Sequence, residues 1–175
     1  SLGFSEQALA LTPDDPQIRV RHGMRQLTAG HIKEGWQNFE WRLKRPDAVQ
    51  RTGLPRHWQG EPLTGKRILV CAEEGVGDEI LYASLIPDLL TAGASVVIEC
   101  APRLVGVFHR SFPECQVHAY KRSGDRFKPV HDYSWLPQDP PVDYAIDGGS
   151  LPARLRPDRA SYDHQRPYLT ASPER

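Results

Sequence analysis

The sequence has no charge bias. Its 175 residues carry 22 Lys plus Arg against 22 Asp plus Glu, a formal net charge of zero. That balance offers nothing to a phosphate backbone or an anionic membrane, so no nucleic-acid partner is expected. Long apolar runs are also missing. None approaches the ~20 residues that a membrane-spanning helix needs. The N-terminus lacks a basic region and a continuous apolar segment, so it does not read as a secretory signal. Cysteine is scarce: Cys71, Cys100 and Cys115 are odd in number and lack paired spacing. Free thiols in a reducing, cytoplasmic setting are therefore expected, not a disulfide framework. No CxxC or HxxxH spacing occurs, which argues against a metal site. At 39% hydrophobic and 25% charged residues, the chain suits one ordinary soluble domain with a small appendage.

The most organised stretch runs from Lys66 to Gly93, KRILVCAEEGVGDEILYASLIPDLLTAG. Arg67 to Ala72 is an apolar run without alternation, as in a parallel strand covered on both faces. Gly75 and Gly77 permit a sharp turn, and Asp78 suits the N-cap of the helix that follows. Ile80, Leu81, Ala83, Leu85, Ile86, Leu89 and Leu90 give that helix a wide apolar face. Pro87 is expected to kink or end it. SVVIEC, from Ser95 to Cys100, reads as a second buried strand. A β-α-β unit follows, and such units hold ligands at the carboxyl ends of their strands.

The turn itself selects among ligands. A dinucleotide loop needs a third glycine, and Ile80 stands at that position. Glu73, Glu74, Asp78 and Glu79 add negative charge that a helix dipole, worth about 0.3–1 kcal/mol at an exposed site, hardly offsets against a phosphate. A hydroxyl is a better guest, since a carboxylate at this turn can accept its proton as a general base. By spacing alone, Asp78 reads first as a residue that only caps the helix, since capping Asp residues are common.

The residues from Trp58 to Pro102, with W-Q-G, L-T-G-K, a strand, E-E-G-V-G-D and a helix ending in a proline step, resemble a bacterial family. Its members carry tetratricopeptide repeats followed by a domain similar to the heptosyltransferases of lipopolysaccharide synthesis. The resemblance implies an α/β fold: a Rossmann-like parallel sheet of about four or more strands, one half of a GT-B glycosyltransferase architecture. It also implies that Asp78 is the base for the acceptor hydroxyl. Two positions depart from the family pattern. Glu74 replaces the usual glutamine, and Ser84 stands where an arginine is common.

Around this unit the chain divides into residues 1–46, a helical block; 47–65, a linker rich in proline, glycine and basic residues; and 66–175, the α/β part. In the first block Pro13 stops one helix. Asp14 or Asp15 caps the next, which carries Pro16 in its first turn and runs from Gln17 to Ala29. Another is expected from Ile32 to Lys44, with Ile32, Trp36, Phe39 and Leu43 on one face. The pair forms an αα-hairpin. It resembles a tetratricopeptide repeat through Gly23, Gly35 and Phe39, with Pro13 and Pro46 spaced 33 residues apart, near the roughly 34-residue period. The usual first-helix aromatic is absent. Through this hairpin a protein or peptide partner is expected.

Trp58 is read as an anchor for the linker, with sugar stacking as the alternative. Further strands are expected at Gln116–Tyr120 and Asp143–Asp147. Between them Lys121–Pro141 reads as a long loop, either mobile or lining a cleft through His131, Asp132 and Tyr133. After the last strand Gly148, Gly149 and Ser150 form a second glycine turn. In a parallel sheet this turn meets the first, so Asp147, Gly148, Gly149 and Ser150 are candidate acceptor contacts beside Glu74, Gly75, Gly77 and Asp78. In the GT-B architecture the nucleotide-sugar donor binds the carboxyl-terminal half. This chain has residues for the acceptor half alone, so by itself it is expected to transfer no sugar and to hold no cofactor. The alternative is a non-catalytic interaction module in which the hairpin binds a partner and the α/β part is scaffold.

Overall fold

The computed structural model describes residues 2–73, 75–125, 128–162 and 167–172. In chain order the elements are α1 (Leu2–Leu11), α2 (Pro16–Thr28), α3 (Ile32–Phe39), β1 (Gln50–Thr52), β2 (Arg56–His57), β3 (Arg67–Cys71), α4 (Val76–Ala83), α5 (Ile86–Thr91), β4 (Ser95–Cys100), α6 (Val105–Ser111), β5 (Gln116–Ala119), β6 (Arg122–Asp125), β7 (Lys128–Asp132), β8 (Tyr144–Asp147) and α7 (Leu151–Leu155). The protein is α/β. Its main sheet has five parallel strands in the order β2-β8-β3-β4-β5. A second sheet, β1-β7-β6, pairs β1 with β7 in parallel and β6 with β7 antiparallel.

The two faces of the main sheet have different covers. Ile68, Val70, Val96, Ile98 and Ile146 pack under the helices with Ile86, Leu89, Phe108 and Leu151. Leu69, Cys71, Val97 and Ala145 point to the other face, where Tyr133, Leu136 and Val142 meet them. Side chains alternate along a strand, and both sets are buried, which accounts for the unbroken apolar runs of β3 and β4.

Several expectations are corrected here. Residues 47–65 are not only a linker, because β1 and β2 add strands to both sheets. Within this stretch Trp58 does anchor: it is buried, its backbone N–H donates to Ala145 (2.8 Å), and its indole donates to the Glu61 carbonyl (2.8 Å). The long loop before β8 contains the β6–β7 hairpin, and His131 and Tyr133 are buried. The helix after β3 breaks at Ser84–Leu85, a turn earlier than Pro87, and resumes as α5 with Pro87 in its first turn. Pro87 has no N–H for the Ala83 carbonyl, and its ring would clash there, so the interruption falls before it. α3 stops at Phe39 and tightens into a 3₁₀ segment, Glu40–Lys44. Tighter winding shifts the face: Leu43 ends exposed and Arg42 ends buried.

α2 begins as expected, with Asp15 Oδ1 accepting from the Gln17 and Ile18 N–H groups. α2 and α3 approach at two glycines. A Cβ on Gly23 would stand 2.7 Å from the Gly35 carbonyl, and one on Gly35 would stand 2.7 Å from Leu27 Cγ. This helical pair rests on the α/β part through Trp36, which meets Tyr82 edge-on (6.5 Å between centroids) and donates to the Tyr162 hydroxyl (3.0 Å).

Candidate functional site

From β3 the chain proceeds to β4 and β5 on one side, and β8 returns on the other side of β3. The order reverses between β3 and β8, and at such a point the loops diverge to leave a crevice at the carboxyl edge. The register pairs Cys71 with Asp147, so the two glycine turns are neighbours. A Cβ on Gly148 would lie 3.4 Å from the Cys71 carbonyl.

At the first turn the N-cap of α4 is Gly75, not Asp78. Asp78 lies three residues later, in the first helical turn, where an acidic side chain favours the dipole. Its carboxylate folds back over Gly75, since a Cβ there would stand 2.8 Å from Asp78 Oδ2. Asp78 is exposed. It lies on the rim of a groove of about 430 Å³ between the α2–α3 pair and α4. Val20, Met24, Leu27, Phe39 and Leu81 supply apolar wall, while Arg42, Arg45, Glu73 and Asp78 supply polar groups. Leu81, expected in the core, is instead 58% exposed and faces this groove. Gly77 is exposed with open space about its Cα. Glu74 lies outside the described residues.

The charge of the turn is largely spoken for. Glu73 Oε1 accepts from Arg42 (2.9 Å) and from the Gly149 N–H (2.6 Å). Glu79 turns inward and accepts from the Ala101 N–H (2.7 Å). Burial, opposed by that hydrogen bond and reinforced by the Glu99 and Glu73 charges, pushes its carboxyl up to about 7. Asp78 is therefore the acid of this turn that, among the described residues, stays exposed without an ion pair. That geometry suits a proton acceptor on the groove rim.

The second glycine turn sits behind the groove. Arg42 comes from the 3₁₀ segment and inserts between the turns, donating to Glu73, Glu40 (2.9 Å) and Ser150 Oγ (3.1 Å). A Cβ on Gly149 would come within 2.8 Å of that guanidinium. Gly148, Gly149 and Ser150 are all buried. Asp147 points to the opposite face, where Arg51 from β1 donates to it (2.8 Å) and His57 stands 3.7 Å away. Burial works against its ionisation, yet His57, Arg51 and Arg42 bring its carboxyl down to about 2. Arg51 also donates to the Ala72 carbonyl (2.6 Å) and the Tyr133 hydroxyl (2.5 Å). Tyr133 in turn donates to Glu99 (2.6 Å), which also takes the Ala72 N–H (3.0 Å). His131 completes this buried network, 3.4 Å from Glu99. The structure thus brings the two turns together but sets Asp147–Ser150 beneath the surface that carries Asp78.

The chain is 30% identical over 157 residues to Protein FlbA of Caulobacter vibrioides. The match covers 85% of this chain and 26% of that protein, so the chain spans about a quarter of the length of the curated relative it matches. No family model matches the chain, and no solved structure gives a significant match.

Sequence reasoning did not single out Arg42, Arg51 or Tyr82. Arg42 and Arg51 sit in a short 3₁₀ segment and a three-residue strand, where no periodicity marks an inward side chain. Tyr82 lies on the apolar face of α4 and carried no signal beyond its position there.

No helix is long and apolar enough to cross a membrane among the described residues, and no cluster of three or more His, Cys, Asp or Glu side chains is placed to hold a metal ion there.

Proposed function

We propose that the chain is the acceptor-side half of a glycosyltransferase-like protein, with Asp78 as general base. One observation supports this most directly: an exposed carboxylate stands on the first turn of α4, on the rim of a mostly apolar groove of about 430 Å³. The volume lies within the roughly 300–1,000 Å³ of ligand pockets, which combine apolar walls with a few placed polar groups. The five-stranded parallel sheet is compatible with one Rossmann-like half of a GT-B fold. In the reaction the acceptor hydroxyl gives its proton to Asp78 as its oxygen bonds to the anomeric carbon of a nucleotide-sugar. The bond from that carbon to the nucleotide's phosphate oxygen breaks, and the nucleotide leaves with the electron pair. A second α/β half, outside this chain, holds the donor, so this chain alone transfers no sugar. The setting is the bacterial cytoplasm.

The test is sugar transfer by the full-length protein from a panel of nucleotide-sugars, with Asp78→Ala and Asp78→Asn alongside. Both substitutions replace an exposed side chain and should leave folding intact. Loss of a positioned base is expected to lower the rate by about 10²–10⁴-fold. Transfer at the wild-type rate in both variants removes Asp78 from the mechanism.

A second reading is favoured by the glycine contact of α2 with α3. Backbones that touch at Gly23 and Gly35 suit a tetratricopeptide-like pair whose surface binds a peptide, with the α/β part as scaffold. Under that reading a displayed random peptide library yields binders to the chain. Met24→Lys, on the groove wall, abolishes their binding, while the full-length protein shows no transfer with any donor.

A further inference from the structure

α4 places Tyr82 four residues after Asp78, one helical turn on and on the same side. Side chains on a helix lean toward its N-terminus, so the Tyr82 ring reaches back over the turn that carries Asp78. The ring is fixed by its edge-on contact with Trp36. Tyr82 is 94% buried, being 6% exposed, and it lines the same groove as Asp78. Along that groove Tyr82 shares the lining with the polar side chains of Arg42, Glu73 and Asp78. Burial first, then the surrounding carboxylates, push its ionisation upward, so it remains a neutral donor at all physiological pH. Among the described residues no protein group hydrogen-bonds to this hydroxyl. The other buried tyrosine, Tyr133, by contrast donates to Glu99 and accepts from Arg51. Buried phenols usually find a partner; this hydroxyl is not among the fully buried atoms that lack one, so it opens onto space beside the groove that Tyr82 lines.

We propose that Tyr82 is an acceptor-binding residue: its hydroxyl donates to a second oxygen of the acceptor, next to the hydroxyl that Asp78 receives. The acceptor class is then a compound with two neighbouring oxygens, such as a 1,2-diol, carrying an apolar portion along the Met24 and Leu81 walls. This rests on the reading of Asp78 as the acceptor's base and adds to it a reason why a plain alcohol is the poorer ligand.

Met24 is the single methionine of the chain and lies on the groove wall, so its ¹³C-labelled methyl is a one-peak reporter. Octane-1,2-diol and octan-1-ol are titrated against the wild-type chain and Tyr82→Phe, which keeps the ring against Trp36 and is expected to melt at the wild-type temperature. Both alcohols should shift the Met24 methyl saturably, with the diol bound about 3- to 10-fold more tightly, the worth of one neutral hydrogen bond. In Tyr82→Phe the two should bind alike. Equal affinities in the wild type, a diol preference that survives in Tyr82→Phe, or an unmoved Met24 signal would each overturn the assignment. Transfer assays separate it from the base. A lost diol preference together with unimpaired transfer in Asp78→Ala keeps Tyr82 as a ligand contact and removes the base. A retained preference with abolished transfer does the reverse.

Discussion

Replacing Arg42 by methionine should expose how the helical pair is tied to the two glycine turns. The Arg42 side chain is 8% exposed and that of its partner Glu73 is 11% exposed. Without Arg42 the Glu73 carboxylate keeps the Gly149 N–H but loses its cation, and Ser150 Oγ loses a donor. Methionine restores much of the apolar stem, so the penalty is chiefly that of an orphaned buried charge, about 3–5 kcal/mol. The reverse change is milder. In Glu73→Gln the amide oxygen still accepts from Gly149, and Arg42 keeps Glu40 at 2.9 Å, so about 1–2 kcal/mol is expected. The double variant no longer buries an unpaired Glu73 charge and leaves only the more exposed Glu40 without its cation, so it should be more stable than Arg42→Met alone. Urea denaturation of the four proteins measures this, provided their m-values agree. At roughly 2–4 °C per kcal/mol for a chain of this size, Arg42→Met should also melt about 6–20 °C lower. A cost below about 1 kcal/mol, or a double variant no more stable than Arg42→Met, would refute the reasoning.

Gly75→Ala should separate folding from chemistry: its Cβ would meet only the end of the Asp78 side chain, at 2.8 Å. A change in stability below about 1 kcal/mol is expected, with transfer by the full-length protein reduced, measured by denaturation and by the transfer assay. Gly23→Ala meets backbone instead, at 2.7 Å from the Gly35 carbonyl and 2.9 Å from the Phe39 nitrogen. The helices must part, and a loss of about 1–3 kcal/mol in urea denaturation is expected. Burial pushes the Glu79 carboxyl up to about 7 in the folded chain, against an ordinary 4.5. Between those values the native state binds more protons than the unfolded one, so stability falls as pH rises through this window. Glu79→Gln keeps an acceptor for Ala101 and should flatten that fall, read from denaturation curves between pH 4.5 and 8.

Much of the architecture was legible locally. The unalternating runs at Arg67–Cys71 and Ser95–Cys100 became adjacent parallel strands. Asp15 capped α2, and Trp58 buried itself against the sheet. Asp78 was read from its place after Gly75 and Gly77, and it lies on the groove rim. The misread elements are those whose form depends on a distant partner. β1 is three residues long and β2 two, too short for a period to show, and they exist because β7 and β8 pair with them. His131 and Tyr133 looked like loop residues until Glu99 and Arg51 were set against them.

The amino-acid order alone determined where the longer helices and the buried strands β3 and β4 form, because hydrophobic period, turn glycines and caps act within a few residues. It also determined that a carboxylate follows the first glycine turn. Only the tertiary structure decided which acids remain exposed. Arg42 neutralises Glu73 across 31 positions of chain, and Ala101 draws Glu79 inward across 22. Such pairings depend on how distant elements pack, and no local spacing records them.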